Sequence, residues 1–420
     1  MKTTVESLQD PTLQRGGKAS VRALVFRDVG DQSLVLASQI VLNLSFFLVM
    51  LFASMRFEPA NFLELTFANS LIPLIATALD FGLSQSCLAL SFEHKKQDYV
   101  QLNLIVKAAT LLLAAMAFVV AFMLSGSATQ LVLVLAAASM SFWTATRVIE
   151  QYGRRFRRYA VLNFALAAAR ILLGLAAAIH GGWIALILAV HVVAQLPIQI
   201  LTLSRVAEIH FKSVNWNAIK AVVHMAPITF FATSLFSALP LLTLWILNHK
   251  GDTLSAAAFG VVLMFLAPID LLFATLKVYL FPKIVETDFK NIDLFGLGTK
   301  SMYVMMGTLT AILVLGLIPA SFIIDLLYDK RFPEADRFFV TYFSCHALAC
   351  VIGVYTMRSQ RPGFVRLALI ANFMRAAGTT VLIIVPNMTS YQVVLWSGII
   401  VVAGEFVLVA LLRVHARGKG

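Results

Sequence analysis

AATLLLAAMAFVVAFML, from Ala108 to Leu124, is a run with no charged residue, and WIALILAVHVVAQLPIQILTL, from Trp183 to Leu203, is a second. A surface helix of a soluble protein interleaves polar residues at helical period so that one face stays wet. Here the polar face is missing from the first run and reduced to His191, Gln195 and Gln199 in the second. About 20 apolar residues in helix cross the hydrocarbon core of a bilayer, so both runs read as membrane spans. The whole chain follows suit: 60% of its 420 residues are apolar and 13% are charged, against roughly 25% charged in an ordinary soluble domain.

Runs of the same kind predict spans at 33–53, 62–91, 104–124, 129–146, 160–179, 183–203, 221–247, 254–281, 302–327, 337–357, 364–385 and 390–412. The basic residues test this count independently, because positive charge is retained on the cytoplasmic side of short loops. With twelve spans and an internal N-terminus, 26 of the 33 Lys and Arg fall on cytoplasmic segments or the adjoining span ends. Five (Arg56, Lys250, Lys330, Arg331, Arg337) fall outside, and two (Arg170, Arg375) lie inside spans. The alternation holds across all segments, so the net charge of +12 reads as topology and not as a nucleic-acid surface. The expected fold is an all-α polytopic membrane protein with twelve transmembrane helices in two six-helix lobes around a central cavity. The segments expected are a cytoplasmic N-terminal stretch 1–32, a first lobe 33–203, a cytoplasmic linker 204–220, a second lobe 221–412 and a cytoplasmic tail 413–420. The N-terminus lacks the short apolar region and small-residue cleavage site of a secretory signal, so the first span is expected to stay. Val21 to Asp31 reads either as a lead-in along the inner leaflet or as a solvated one.

Outside loops such as Ser125–Ala128 and His180–Gly182 leave no room for an external domain. No Gly-rich loop ending in Gly-Lys-Ser or Gly-Lys-Thr supports ATP-driven work by this chain. Cys87, Cys345 and Cys350 lie in apolar runs without metal-ligand spacing and read as small buried hydrophobes. Trp143, Trp183, Trp245 and Trp396 lie near span ends, as interfacial anchors do. Prolines 73, 197, 227, 240, 268 and 319 interrupt spans and can bend them.

A faint repeat relates the halves. The fifth span holds Asn163-Phe164 and then Arg170, and the eleventh holds Asn372-Phe373 and then Arg375. The second and eighth spans each carry one central aspartate, Asp80 and Asp270. Together with Glu405, these charges sit at depths where each costs about 2.5 to 3.5 kcal/mol on a lone helix, so each needs a wet cavity or a partner. Arg170 and Arg375 are the candidates for substrate contact, because two guanidinium forks suit a phosphate or carboxylate. Asp80, Asp270 and Glu405 are candidates for ion coupling, by H+ or Na+, or for pairing with the arginines. His191, His224 and His346 read as hydrogen-bonded to neighbouring helices. No catalytic constellation, metal set or cofactor motif stands out.

Three segments resemble the polysaccharide flippase branch of the multidrug/oligosaccharidyl-lipid/polysaccharide exporter superfamily: Leu79-Asp-Phe-Gly-Leu-Ser-Gln85, Ala257-Ala-Phe-Gly-Val-Val262 followed by Leu280-Phe-Pro-Lys-Ile284, and Leu327-Tyr-Asp-Lys-Arg-Phe-Pro-Glu-Ala335, with Asp329 where that family has Gly. The resemblance implies a flippase of the bacterial inner membrane. It would carry a prenyl-pyrophosphate-linked oligosaccharide from the inner to the outer leaflet by alternating access, alongside a polysaccharide polymerase and glycosyltransferases. A multidrug or organic-ion exporter of the same superfamily is the first rival, although two central arginines disfavour a cationic substrate. A major-facilitator transporter would carry Gly, Asp and several Arg between its second and third spans, where this chain has Phe92-Glu-His-Lys-Lys-Gln-Asp98. A membrane-bound polymerase or glycosyltransferase would need longer loops.

Overall fold

In the computed structural model, the described residues are 19–94, 98–125, 129–152, 155–206, 216–250, 252–286, 298–328, 331–360 and 364–417. They form helices α1 (Ala19–Arg56), α2 (Pro59–Asp80), α3 (Leu83–His94), α4 (Asp98–Ser125), α5 (Thr129–Tyr152), α6 (Phe156–His180), α7 (Trp183–His191), α8 (Leu196–Val206), α9 (Trp216–His249), α10 (Thr253–Glu286), α11 (Gly298–Tyr328), α12 (Ala335–Thr356), α13 (Val365–Ile384) and α14 (Ser390–Arg417). Among the described residues ten helical stretches are long and apolar enough to cross a membrane, and α10 and α11 add shorter apolar ones. The arrangement is the expected twelve-span, two-lobed one. The side chains of 21–31 and 280–284, that of Pro268, and residues 329–330 lie outside the described set.

Fourteen helices make twelve spans because two spans break. Span two, predicted as 62–91, ends as α2 at Asp80 and resumes as α3 at Leu83. Phe81 and Gly82 between them have φ of 47° and 73°, in the left-handed region that terminates a helix. Gly82 is required there twice over, since a Cβ would also stand 2.3 Å from the Ala226 carbonyl oxygen and 2.7 Å from the Phe230 nitrogen of α9. The two nearest atoms are backbone, which cannot rotate away, and the Thr229 Cβ stands behind them at 3.1 Å. Gly82→Ala is expected to lower stability by about 2–3 kcal/mol, read as an earlier thermal transition in detergent. Span six breaks at the 3-10 turn Val193–Gln195, just before Pro197, which has no N–H to continue the ladder. Prolines 73, 227, 240 and 319 stay inside continuous helices.

The lobes pack alike. In the first, α1 lies along α6 and α5 packs on α7; in the second, α9 lies along α13 and α12 on α14. The lobes meet reciprocally, α1 on α10 and α2 on α9. At the end of the bundle holding the turns after Arg56 and Tyr328 they are sealed. Across the lobes Phe62 and Phe332 approach to 5.9 Å between ring centroids and Phe47 and Phe265 to 5.2 Å, with Tyr328 and Phe339 of the second lobe packed against Phe332 and Phe265 at 5.7 and 6.0 Å. Ser54 Oγ and Tyr328 OH lie 2.5 Å apart, and Arg331 Nη1 donates to the Met55 carbonyl at 2.5 Å. Buried aromatics of this size account for much of the interlobe cohesion.

Trp143 departs from the interfacial reading. It is buried with Leu42, Leu166, Ala167, Ala194 and Ile198, because its face of α5 turns toward α1, α6 and α8, whereas Trp245 and Trp396 are exposed as anchors would be. Cys87 is buried as expected, while Cys345 and Cys350 are only partly so.

Candidate functional site

Opposite the sealed end, a cavity of about 430 Å³ opens between α2, α3, α5 and α9. Its wall is built from two helical stripes. On α5, Ser141, Thr144 and Arg147 recur every three residues; on α9, Thr229, Thr233 and Ser237 recur every four, and both sets line the cavity. Either spacing keeps side chains on one face of a helix. Thr77 and Asp80 on α2, with Ser84 and Gln85 on α3, complete a lining rich in hydroxyls.

Two charges mark this wall, in different states. Asp80 is fully engaged: Lys107 Nζ of α4 stands 2.6 Å from Oδ1, Ser84 Oγ donates to it at 2.5 Å, and the Ser84 amide lies within 3.2 Å of Oδ2. Lys107 is buried and also donates to the Leu79 carbonyl at 3.3 Å. The pair is charge-neutral, as a pair at this depth must be to offset its desolvation. Arg147 has no such partner. Its guanidinium lies 5.9 Å from the Tyr159 ring centroid, its Nε is buried without an acceptor, and no carboxylate among the described residues is within ion-pairing distance. Nearby Glu150 is engaged with Arg158 at 3.2 Å. The cavity therefore carries one uncompensated positive charge, which attracts an anion strongly in a site of reduced dielectric.

The five predicted residues are not gathered in one place. Only Asp80 lines the cavity. Arg170 is buried on α6 and donates through Nε to the Val190 carbonyl at 3.3 Å. Arg375, 2% exposed, donates through Nε to the Val401 carbonyl at 3.2 Å. The two spans on which they sit are thus tied to the next span in the same manner. Likewise Asn163 Nδ2 donates to Ser38 Oγ on α1 at 3.0 Å, and Asn372 Nδ2 to the Ala232 carbonyl on α9 at 2.8 Å. The half-length repeat is therefore physical. It breaks at the acidic residues: Arg375 Nη2 meets Glu405 Oε1 at 2.6 Å, and Thr356 Oγ1 donates to Oε2 at 2.6 Å. Among the described residues Arg170 has no such ion pair; four residues on from Val190, as Glu405 is from Val401, stands Ala194 in the 3-10 turn. Asp270 departs from the repeat too. It is exposed, and its partner is His346 of α12, with Nε2 2.7 Å from Oδ1.

From sequence, Lys107 and Arg147 read as cytoplasmic flanks, because both lie near span ends. The three-residue stripe ending at Arg147 was the available signal that it faces inward.

No protein-family model matches the sequence, and no curated protein does. Solved structures do match. A mutant of a Vibrio cholerae MATE transporter superposes with a TM-score of 0.68 at 10% identity, covering 93% of this chain and 97% of that one. A MOP superfamily transporter from Pyrococcus furiosus, whose reverse polarity of the binding pocket suggests a different function, gives 0.67 at 11% identity, with 92% and 95% covered. An outward-facing multidrug resistance MATE family transporter of the MOP superfamily gives 0.65 at 12%, with 93% and 96% covered. The fold is that of the MATE and MOP transporters, shared over nearly the whole length.

Proposed function

We propose that this chain is an alternating-access transporter of the bacterial inner membrane, acting on an anionic, lipid-linked oligosaccharide. The observation that carries the reading is the unpaired Arg147 in a hydroxyl-lined cavity: a pyrophosphate needs fixed positive charge, a sugar unit needs hydroxyl partners, and a prenyl tail can remain in lipid. Lobes 33–203 and 221–412, joined by 204–220, rock about the aromatic seal. With both termini cytoplasmic, the seal lies outside and the cavity opens inward, the state that would load substrate. Arg170 adds a second fixed charge to the first lobe, while Arg375 and Glu405 serve its partner's packing. Coupling to H+ or Na+ would use the Asp80 carboxylate, which lines the cavity.

Multidrug export is the second reading, and the likeness to MATE transporters favours it, since a multidrug resistance protein is among them. The net charge of the cavity weighs against a cationic drug. Purified protein in liposomes separates the two. Accelerated movement of a fluorescent prenyl-pyrophosphate glycolipid between leaflets, without ethidium efflux, is the expected result; ethidium efflux without lipid movement would establish the second reading.

A further inference from the structure

Outside the cavity, one cluster of side chains in the second lobe brings three chemically different ligand atoms together. Asp270 projects from α10, and His346 and Cys350 project from α12, which packs against it. His346 and Cys350 are four residues apart, one above the other on a single helical face. One ligand atom from each of the three, a carboxylate oxygen, an imidazole nitrogen and a thiol sulfur, lies within 4.8 Å of the others. We infer that Asp270, His346 and Cys350 form a binding site for a transition-metal ion of the zinc type, clipping α10 to α12.

Bond lengths of about 2.0–2.3 Å for such ligands around a tetrahedral ion imply donors roughly 3.3–3.8 Å apart, so closure needs shifts within the reach of a side-chain torsion. Asp270 Oδ1 and His346 Nε2 are already 2.7 Å apart, and the ion would replace the proton between them. The thiol of Cys350 would give up its proton to solvent on coordination. Oxygen, nitrogen and sulfur in one set suit Zn2+, Co2+ or Cu2+ and disfavour Mg2+, Ca2+ and Na+, which take oxygen ligands. Three protein donors leave a fourth position, and the exposed Asp270 keeps it accessible to water or a small anion. The neighbouring Tyr342 ring lies 6.2 Å from the His346 ring at 15°, which holds the imidazole plane in place. The sequence concealed the set because 76 residues separate Asp270 from His346. The inference does not depend on which substrate is carried.

The test uses the full chain, untagged, purified in detergent and stripped with a chelator. Titration with Zn2+ should show one equivalent bound per chain and a higher thermal transition, and Co2+ should give a thiolate charge-transfer band. Ca2+ and Mg2+ in excess should not compete. Cys350→Ser should abolish the cobalt band, and Asp270→Asn and His346→Ala should each weaken Zn2+ at least roughly ten-fold, the loss that even outer partners of a metal site cause. Cys345→Ser and Cys87→Ser should leave binding intact and guard against a general thiol effect. Absence of stoichiometric Zn2+ binding by the parent protein, or binding that survives all three substitutions, would overturn the assignment.

Discussion

Arg375→Ala is expected to sharply reduce the amount of folded protein recoverable from the membrane and to cost about 3–5 kcal/mol, the usual effect of deleting one half of a buried ion pair. Its side chain and that of Glu405 are 2% and 11% exposed, so solvent would compensate the carboxylate left behind only weakly. Thr356 would supply Glu405 with a single hydrogen bond, and Asn372 would lose the contact its Oδ1 makes with Nη1. Gly404 sits directly under the Arg375 side chain, where a Cβ would collide with it, so the truncation also opens a void between α13 and α14. The double replacement Arg375→Met with Glu405→Leu should recover most of the loss, because it removes both desolvated charges and keeps the volume. Fluorescence-detected gel filtration across a temperature series reads both outcomes. A stable single mutant would show that the pair contributes little.

Arg147→Ala should do the reverse, leaving stability nearly unchanged while suppressing transport of an anionic substrate. Arg147 has no acceptor at Nε and no carboxylate partner among the described residues, so its removal strands nothing. A hydrogen bond to a charged group contributes about 1.5–3 kcal/mol, which corresponds to roughly 10- to 150-fold in apparent affinity. Arg147→Lys should retain part of the activity, since the charge stays but the planar fork is lost. The liposome assay, run at several lipid concentrations, gives the affinity change. Undiminished transport by Arg147→Ala would remove this residue from the substrate path.

These two arginines show where sequence reasoning succeeds and where it stops. The number of spans follows from local composition: each crossing needs its own apolar length, and each loop its own charge bias. Those constraints act on contiguous residues, so Ala108–Leu124 and Trp183–Leu203 were legible as they stood. The half-length likeness around Asn163 and Asn372 was legible for the same reason, and their side chains do reach the first span of each lobe. The break at Phe81-Gly82 needed the backbone angles and the helix–helix approach to become visible, whereas Pro197 already marked the interruption of its span.

By itself, then, the order of residues determined a twelve-span bundle and a short set of charges that the membrane interior could not leave unattended. Tertiary structure alone decided which of them meet. Arg375 finds Glu405, Asp80 finds Lys107, Asp270 finds His346, and Arg147 is left facing the cavity. Partner choice depends on how each helix is rotated about its axis and where it crosses its neighbours. Those quantities are set jointly by packing across the whole bundle, between residues as far apart as Asp270 and His346, and no local stretch encodes them.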